Sequence, residues 1–209
     1  MKKTVTLALS LLTVVTMYAQ TFEGRIMYKN TYKSKTPEMK NEQWTAMMGA
    51  TMEYLIKGGD YKSTLNGTMV QWQLYNNGEN KLFTKMANSE TLLWNDAAVQ
   101  GDEVLKVQVN KGVAQVLGYK CDEVILTCKS GVQKYYFNSK FGVDAKLFAK
   151  HKYGNWYDYL VKANAIPLKS IIETPQFIME SVATEITAMK LDAKQFQIAT
   201  GTKMEKSPY

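Results

Sequence analysis

Histidine, cysteine and arginine are scarce in this chain, which has 209 residues but one histidine, two cysteines and a single arginine. A structural zinc site takes four histidine or cysteine ligands, and the whole sequence supplies three. Two cysteines are too few for a small domain held together by disulfides. Nucleic-acid-binding surfaces collect Lys and Arg in clusters, whereas the lysines here stand apart from one another. We therefore predict no metal site, no cofactor and no nucleic-acid partner.

Catalytic motifs are lacking as well. The nucleophile motifs G-x-S-x-G and S-x-x-K do not occur, and Gly58-Gly59 lies between two strand patterns, which indicates a turn rather than a phosphate loop. His151, the one imidazole, lies in the basic segment KLFAKHKYG, and we interpret it as a surface residue. The sequence therefore predicts that the protein is not an enzyme. A hydrolase with an unrecognised site stays open as a third hypothesis, behind the two given below.

Residues 1–19 have the layout of a secretory signal peptide. Lys2 and Lys3 form a positively charged start, residues 4–16 are uncharged and rich in Val and Leu, and Ala19 is a small residue at the cleavage point. The apolar run is shorter than the roughly 20 residues that a membrane-spanning helix needs. We predict a periplasmic or secreted protein with no transmembrane span after cleavage. Removal of the two lysines lowers the formal net charge from +7 to +5.

Most of the remaining chain alternates between apolar and polar residues, which is typical of β-strands. Short turn signals separate these runs, at Gly58-Gly59-Asp60, at Asn77-Gly78 and at Lys129-Ser130-Gly131. Consecutive hairpins predict antiparallel, up-and-down pairing. About ten such strands would curl into a barrel or half-barrel. The expected architecture is a curved antiparallel sheet that forms an incomplete β-barrel.

Two stretches instead have helical spacing. The segment TPEMKNEQWTAMMGATM has Thr36 as a candidate N-cap and Pro37 at the first helical position. Residues 143–165 predict one or two short helices, whose apolar face carries Trp156, Tyr159, Leu160 and Ala163. No linker or repeat divides residues 20–209. The prediction is a single α+β domain with two or three short helices covering the sheet.

Several motifs together resemble a known family. These are the opening FEGRIMYK strand, the VLGYKCDEVILTC segment, Ile166-Pro167-Leu168-Lys169 and the closing KQFQIATG. They are similar to uncharacterised secreted Bacteroidetes-type proteins related to the outer-membrane lipoprotein carrier (Lol-type) superfamily. The resemblance implies a curved, incomplete barrel with an apolar cavity for acyl chains, and a lid helix at about residues 37–52. The carriers also use a lid arginine, which Arg25 on the first strand does not match.

These observations lead to one main hypothesis and one alternative. We expect a non-enzymatic periplasmic or envelope protein that binds an apolar ligand, such as a lipid or lipoprotein acyl chain. The alternative is a structural or protein-interaction module of the cell envelope, with an envelope protein as partner, whose helix and sheet seal a filled core. The residues predicted to line the ligand cavity are the stripe on the first helix and the apolar alternation of two strands: Trp44, Met47, Met48, Val70, Trp72, Leu74, Leu105 and Val107.

Overall fold

The computed structural model describes residues 21–208, so the predicted signal peptide lies outside the described residues. The strands are β1 (Gly24–Ser34), β2 (Thr51–Lys57), β3 (Asp60–Leu65), β4 (Val70–Asn76), β5 (Lys81–Met86), β6 (Leu92–Asp96), β7 (Val104–Val116), β8 (Tyr119–Cys128), β9 (Val132–Gly142), β10 (Ala165–Glu173), β11 (Phe177–Ala188) and β12 (Met204–Lys206). The α-helices are α1 (Asn41–Met48) and α2 (Trp156–Ala163), and 3₁₀ helices span Ala145–Phe148, Tyr153–Asn155 and Ala193–Phe196. Between residues 21 and 208, no helix is long and apolar enough to cross a membrane.

All twelve strands form one open sheet in the order β12-β6-β5-β4-β3-β2-β1-β11-β10-β9-β8-β7. Strands β1 to β6 and β7 to β11 each run up and down as successive antiparallel hairpins, and β11 pairs with β1 to join the two halves. The short β12 is the exception, because it pairs in parallel with β6. The predicted antiparallel topology is therefore confirmed, with two more strands than expected.

The sheet is strongly curved, as the ring contacts of Trp156 show. Its centroid lies 6.0 Å from that of Tyr61 on β3 and 6.4 Å from that of Tyr135 on β9. Five inter-strand spacings separate β3 from β9, which in a flat sheet would place them about 24 Å apart. One indole contacts both strands, so the sheet bends around α2. We call the side that faces α2 the concave face and the other side the convex face.

Helix α2 packs on the concave face through the side predicted from its spacing. Tyr159, Leu160 and Ala163 are buried, and the half-buried Trp156 packs against the same cluster. These residues recur at i, i+3, i+4 and i+7, which places them on one side of a helix. The predicted apolar face of this helix is therefore confirmed.

A second, smaller core lies on the convex face. After β11 the chain crosses back over the outside of strands β2 to β6, and the 3₁₀ helix there inserts Phe196. The segment is fixed at its start by Glu23, which accepts hydrogen bonds from Lys57 Nζ at 2.8 Å and from the Leu191 amide at 2.7 Å. The buried members of this convex cluster are Leu74, Phe83, Leu92, Leu191 and Phe196.

Helix α1 is shorter than the sequence predicts. It begins after Lys40, not at Thr36, and it ends at Gly49, whose φ of 95° favours glycine. Gly49 also approaches the backbone of Gly67 so closely that a Cβ atom would lie 2.8 Å from its nitrogen. Because the chain turns there, Met52 belongs to β2 and not to the helical stripe.

Leu74 and Leu105 provide a matched test of the two environments that the fold assigns. Leu74 is 1% exposed in the convex cluster, whereas Leu105 is 58% exposed on the edge strand β7. We expect Leu74→Ala to lower the free energy of unfolding by about 2–5 kcal/mol, because it removes buried methyl groups and leaves a cavity. Leu105→Ala should change it by about 0.5 kcal/mol or less. Urea unfolding followed by circular dichroism measures both values, and equal losses would contradict the fold.

Candidate functional site

A cavity of about 200 Å³ opens on the concave face, between α2 and strands β1–β3 and β9–β11. Its position follows from the curvature, because the two halves of the sheet approach each other there without filling the space completely. Its apolar lining consists of Met52, Ile166, Pro167, Ile172 and Met179. Its remaining lining carries hydroxyl or indole groups and consists of Tyr28, Tyr54, Ser63, Tyr135, Trp156, Ser170 and Ser181.

Larger depressions lie on the outer surface, but their chemistry is different. One of them, of about 580 Å³, is lined by Gln100, Gly101, Ser130 and the charged residues Asp102, Glu103 and Lys129. These carboxylate and ammonium groups face water and form local ion pairs, such as that between Lys129 and Glu103. Among the described residues, no charged side chain lines the concave cavity. A small apolar ligand therefore finds its best environment in the concave cavity, which we take as the candidate site.

Three of the six hydroxyl groups around the cavity are paired with other groups of the protein. The Tyr28 hydroxyl donates to the Pro167 carbonyl oxygen at 2.7 Å, and the Ser181 hydroxyl donates to Asn30 Oδ1 at 2.7 Å. The Tyr135 hydroxyl donates to Gln133 Oε1 at 3.1 Å. Burial raises the pKa of Tyr28 and Tyr135 above the ordinary tyrosine range, so both hydroxyls stay protonated. These bonds fix the orientation of the walls.

Two donors in the lining differ from the others. Among residues 21–208, the Tyr54 hydroxyl and the Trp156 indole Nε1 have no hydrogen-bond partner, although both atoms are buried. The Tyr54 side chain is only 7% exposed, and burial raises its pKa well above the usual value. A buried polar group without a partner carries a desolvation penalty of about 1–3 kcal/mol. Two residues of the cavity lining thus carry neutral donors that have no partner within the described chain.

A stack of aromatic rings forms the wall next to Tyr54. The Tyr54 and Tyr61 rings stack at 5.3 Å, and Tyr61 and Tyr75 continue the stack at 5.4 Å. These residues come from β2, β3 and β4. Tyr61 pairs directly with Tyr75, whereas Tyr54 lies diagonally from Tyr61, because its direct partner on β3 is Ser63. Offset stacking of this kind adds about 0.5–1.5 kcal/mol per pair beyond burial of area. The stack makes this side of the cavity rigid.

His151 closes the far end of the stack, which corrects its interpretation as a surface residue. It is 1% exposed, and its ring lies 4.1 Å from that of Tyr75. Its Nε2 forms a hydrogen bond of 2.8 Å with the Tyr61 hydroxyl. Burial lowers the pKa of His151 to about 4, so the imidazole is neutral at physiological pH. The flanking lysines Lys150 and Lys152 suggested exposure, but the ring points into the core.

The structure does not bring the eight predicted site residues together. Trp44 on α1 packs against Phe177 at 4.5 Å between ring centroids, beside the start of β11 and outside the cavity lining. Met47 and Met48 are half-buried at the end of α1. The predicted lid position of this helix therefore covers only the margin of the concave face.

The predicted strand residues also lie away from the cavity. Leu74 and Trp72 face the convex cluster, and Val70 is buried before the bulge that shifts the register of β4. Leu105 is exposed on β7, and Val107 lies opposite the buried Leu126 but is 37% exposed itself at the sheet edge. The prediction of one shared cavity for these residues is corrected. The error arises because β4 is covered on both faces, so its alternation does not reveal which face is concave.

The lining of the concave cavity had only a weak signal in the sequence. Met52, Tyr54 and Ile56 alternate along β2, and Ser170 and Ile172 alternate along β10, but each run also has apolar residues on the other face. Apolar content alone therefore does not separate the two faces.

The chain has a structural neighbour among solved proteins. It is similar to the crystal structure of a LolA superfamily protein from Nitrosomonas europaea, with 8% sequence identity and a TM-score of 0.39. The match covers 85% of this chain and 90% of that chain. No model of a known protein family matches the chain, and no curated protein matches it. At this level of similarity the neighbour carries no argument about function, which rests on the cavity.

The burial of neutral His151 predicts a loss of stability in mild acid. Its folded pKa of about 4 lies below the ordinary 6.5, so between these values the unfolded chain binds a proton that the folded chain does not. Stability is therefore full above pH 6.5 and falls as the pH approaches 4. Between pH 7 and 5 we expect His151 to contribute a loss of about 2 kcal/mol. Urea unfolding across this pH range measures it.

The matched variant for this prediction is His151→Gln, which keeps a polar side chain beside Tyr61 but does not titrate. It should be less stable at pH 7 because the ring contact with Tyr75 is lost, yet its stability should change less between pH 7 and 5. Identical pH slopes in the two proteins would show that His151 is not the buried neutral group described above.

Proposed function

We propose that this chain is an exported, envelope-associated protein that binds an apolar ligand, such as a lipid or lipoprotein acyl chain, without catalysing a reaction. The observation that supports this proposal is the cavity on the concave face, whose described lining combines aliphatic, methionine and aromatic side chains with three serines and has no charged side chain. Export rests on the signal-peptide layout of residues 1–19. The driving force for binding would be the removal of apolar ligand surface from water.

The volume limits what part of a ligand enters. An apolar cavity of about 150 Å³ holds benzene, so 200 Å³ holds about eight heavy atoms. The cavity therefore fits a segment of one acyl chain better than an anchor with several chains. Eight methylenes at about 0.8 kcal/mol each contribute about 6 kcal/mol before the costs of association. This corresponds to a Kd of tens of micromolar or weaker.

The two methionines in the lining suit a chain that varies in length. Met52 from β2 and Met179 from β11 are both half-buried. Methionine side chains have three rotatable bonds and a polarizable sulfur, which lets an apolar wall repack around different ligands. The aromatic stack on the other side is rigid by contrast. The cavity thus combines one adaptable wall with one fixed wall.

The surroundings of the imidazole support a binding role rather than catalysis. His151 Nε2 is engaged by the Tyr61 hydroxyl, and the ring is enclosed by Tyr61 and Tyr75. A general base needs to reach the proton of a nucleophile or water in contact with substrate. In the described part of the chain, no group of three or more His, Cys, Asp or Glu residues is placed to hold a metal ion.

The alternative of a protein-interaction module has one observation in its favour. Strand β7 is an edge strand that exposes an apolar row of Leu105, Val107, Val109 and Val113. Long exposed edge strands are templates for pairing with another chain. Under this alternative the concave cavity would bind no ligand. The experiment that follows separates the two functions.

Isothermal titration calorimetry with 2-alkanones of four to twelve carbons tests the proposed function. Affinity should rise about fourfold for each added methylene, because each buried methylene contributes about 0.8 kcal/mol. The increase should flatten near eight heavy atoms, where the cavity is full. A complete lack of binding, or an affinity independent of chain length, would favour the interaction module. Native mass spectrometry of protein purified from its own host would then identify the natural ligand.

A cavity-filling variant provides the control. Ser170→Phe places a large ring at a lining position and should abolish binding of the eight-carbon ketone. Ser139→Phe makes the same exchange at an exposed position on β9 and should leave binding unchanged. Loss of binding in both variants would place the ligand somewhere other than the cavity. Circular dichroism spectra and urea unfolding should establish that both variants are folded.

A further inference from the structure

Apolar burial alone does not explain why two residues of the cavity lining carry hydrogen-bond donors without partners. A phenylalanine at position 54 would bury the same ring without the unpaired hydroxyl, and Trp156 likewise buries an indole N–H without a partner in the described chain. The neighbouring hydroxyls of Tyr28 and Tyr135 show that this fold does pair its buried tyrosines where it can. Tyr54 and Trp156 are thus residues of the cavity lining whose donors have no partner within the described chain.

Both groups require the same kind of hydrogen-bond partner. The Trp156 indole donates a hydrogen bond and accepts none, and a buried tyrosine with a raised pKa is a neutral donor. They therefore match a hydrogen-bond acceptor such as an oxygen atom. A carbonyl oxygen has two lone pairs, so it can accept from both donors at once.

The charge distribution decides between a neutral and an ionised acceptor. On β10 and β11 the serines Ser170 and Ser181 face the cavity, while the adjacent Lys169 and Glu180 form an ion pair of 2.5 Å on the outside. The cavity therefore offers no cation to a carboxylate. Transfer of an isolated carboxylate from water to such a site is strongly unfavourable, whereas a neutral carbonyl needs only hydrogen-bond donors.

We propose that the cavity selects neutral acyl groups, namely esters, amides or ketones, whose carbonyl oxygen accepts hydrogen bonds from the Tyr54 hydroxyl and the Trp156 indole. This inference rests on the proposed function and specifies its ligand class. Acyl esters of lipids belong to the class, and ionised fatty acids do not. Tyr54 and Trp156 are then specificity-determining residues of the cavity.

The test compares two ligands of nearly equal shape, 2-heptanone and 2-methyl-1-heptene. The ketone has a C=O group where the alkene has a C=CH₂ group, and the rest of the two molecules is the same. Water solvates the ketone better than the alkene, so their absolute affinities do not compare directly. The change in affinity that Tyr54→Phe causes can, however, be compared between the two ligands. Tyr54→Phe should weaken binding of 2-heptanone by about threefold to tenfold, the usual worth of one hydrogen bond. Its affinity for 2-methyl-1-heptene should stay the same or increase.

Stability and a matched control separate recognition from damage to the fold. Tyr54→Phe removes an unpaired hydroxyl, so the variant should be at least as stable as the parent protein in urea. Tyr153→Phe makes the same exchange on a half-exposed ring outside the cavity and should not change the affinity for either ligand. Equal weakening of ketone and alkene binding by Tyr54→Phe would overturn the inference.

Nuclear magnetic resonance follows the second donor directly. The Trp156 indole N–H gives its own signal in a ¹H–¹⁵N spectrum, which Trp156→Phe assigns by its disappearance. Its proton should shift downfield with 2-heptanone and not with 2-methyl-1-heptene. Heptanoate at pH 7 should bind at least tenfold more weakly than 2-heptanone. Heptanoate affinity equal to that of the ketone would also overturn the inference.

The outcomes distinguish this inference from the function on which it rests. If neither ligand binds the parent protein, the proposed function fails and the inference fails with it. If both ligands bind, but Tyr54→Phe affects them equally and the indole signal does not respond to the ketone, the cavity is an apolar binding site without carbonyl recognition.

Discussion

The curved shape of this sheet depends on the contacts that Trp156 makes at the start of α2. Its indole contacts Tyr61 from one half of the sheet and Tyr135 from the other. Leu160 and Ala163 hold the helix in the core behind it. Because a short helix with a bulky aromatic at one end cannot fill the whole concave space, a cavity remains beside the indole. The same packing that bends the sheet therefore also defines the candidate site.

Features encoded within a few neighbouring residues could be predicted from the sequence. The hairpin turn at Gly58-Gly59 and the tight turn after β4 follow from glycine and asparagine, which tolerate positive φ values. The apolar side of α2 follows from its 3.6-residue spacing. These features depend on local sterics, so no knowledge of distant contacts is needed. The open, up-and-down sheet results from a succession of strands and turns that are each encoded locally.

The site could not be predicted in the same way, because its position depends on which face of each strand is concave. Leu74 and Tyr75 are adjacent and both buried, one in each core, so alternation alone left the choice open. Met52 has helical spacing from Trp44 and Met48, but the turn at Gly49 moves it into β2. His151 lies between lysines and is nevertheless buried against Tyr75. In each case a long-range contact overrides the local pattern.

The two cores of the molecule differ in a way that bears on function. The convex cluster is built from leucine and phenylalanine alone among its buried members, which shows that this chain can fill a core without polar atoms. The concave side instead combines tyrosine, serine and methionine around open space, including a buried Tyr54 hydroxyl without a partner. A core selected only for stability would lose nothing by replacing that hydroxyl with hydrogen. Groups that reduce stability concentrate at functional sites. The composition of the concave side is therefore better explained by the proposed ligand binding than by a contribution to stability alone.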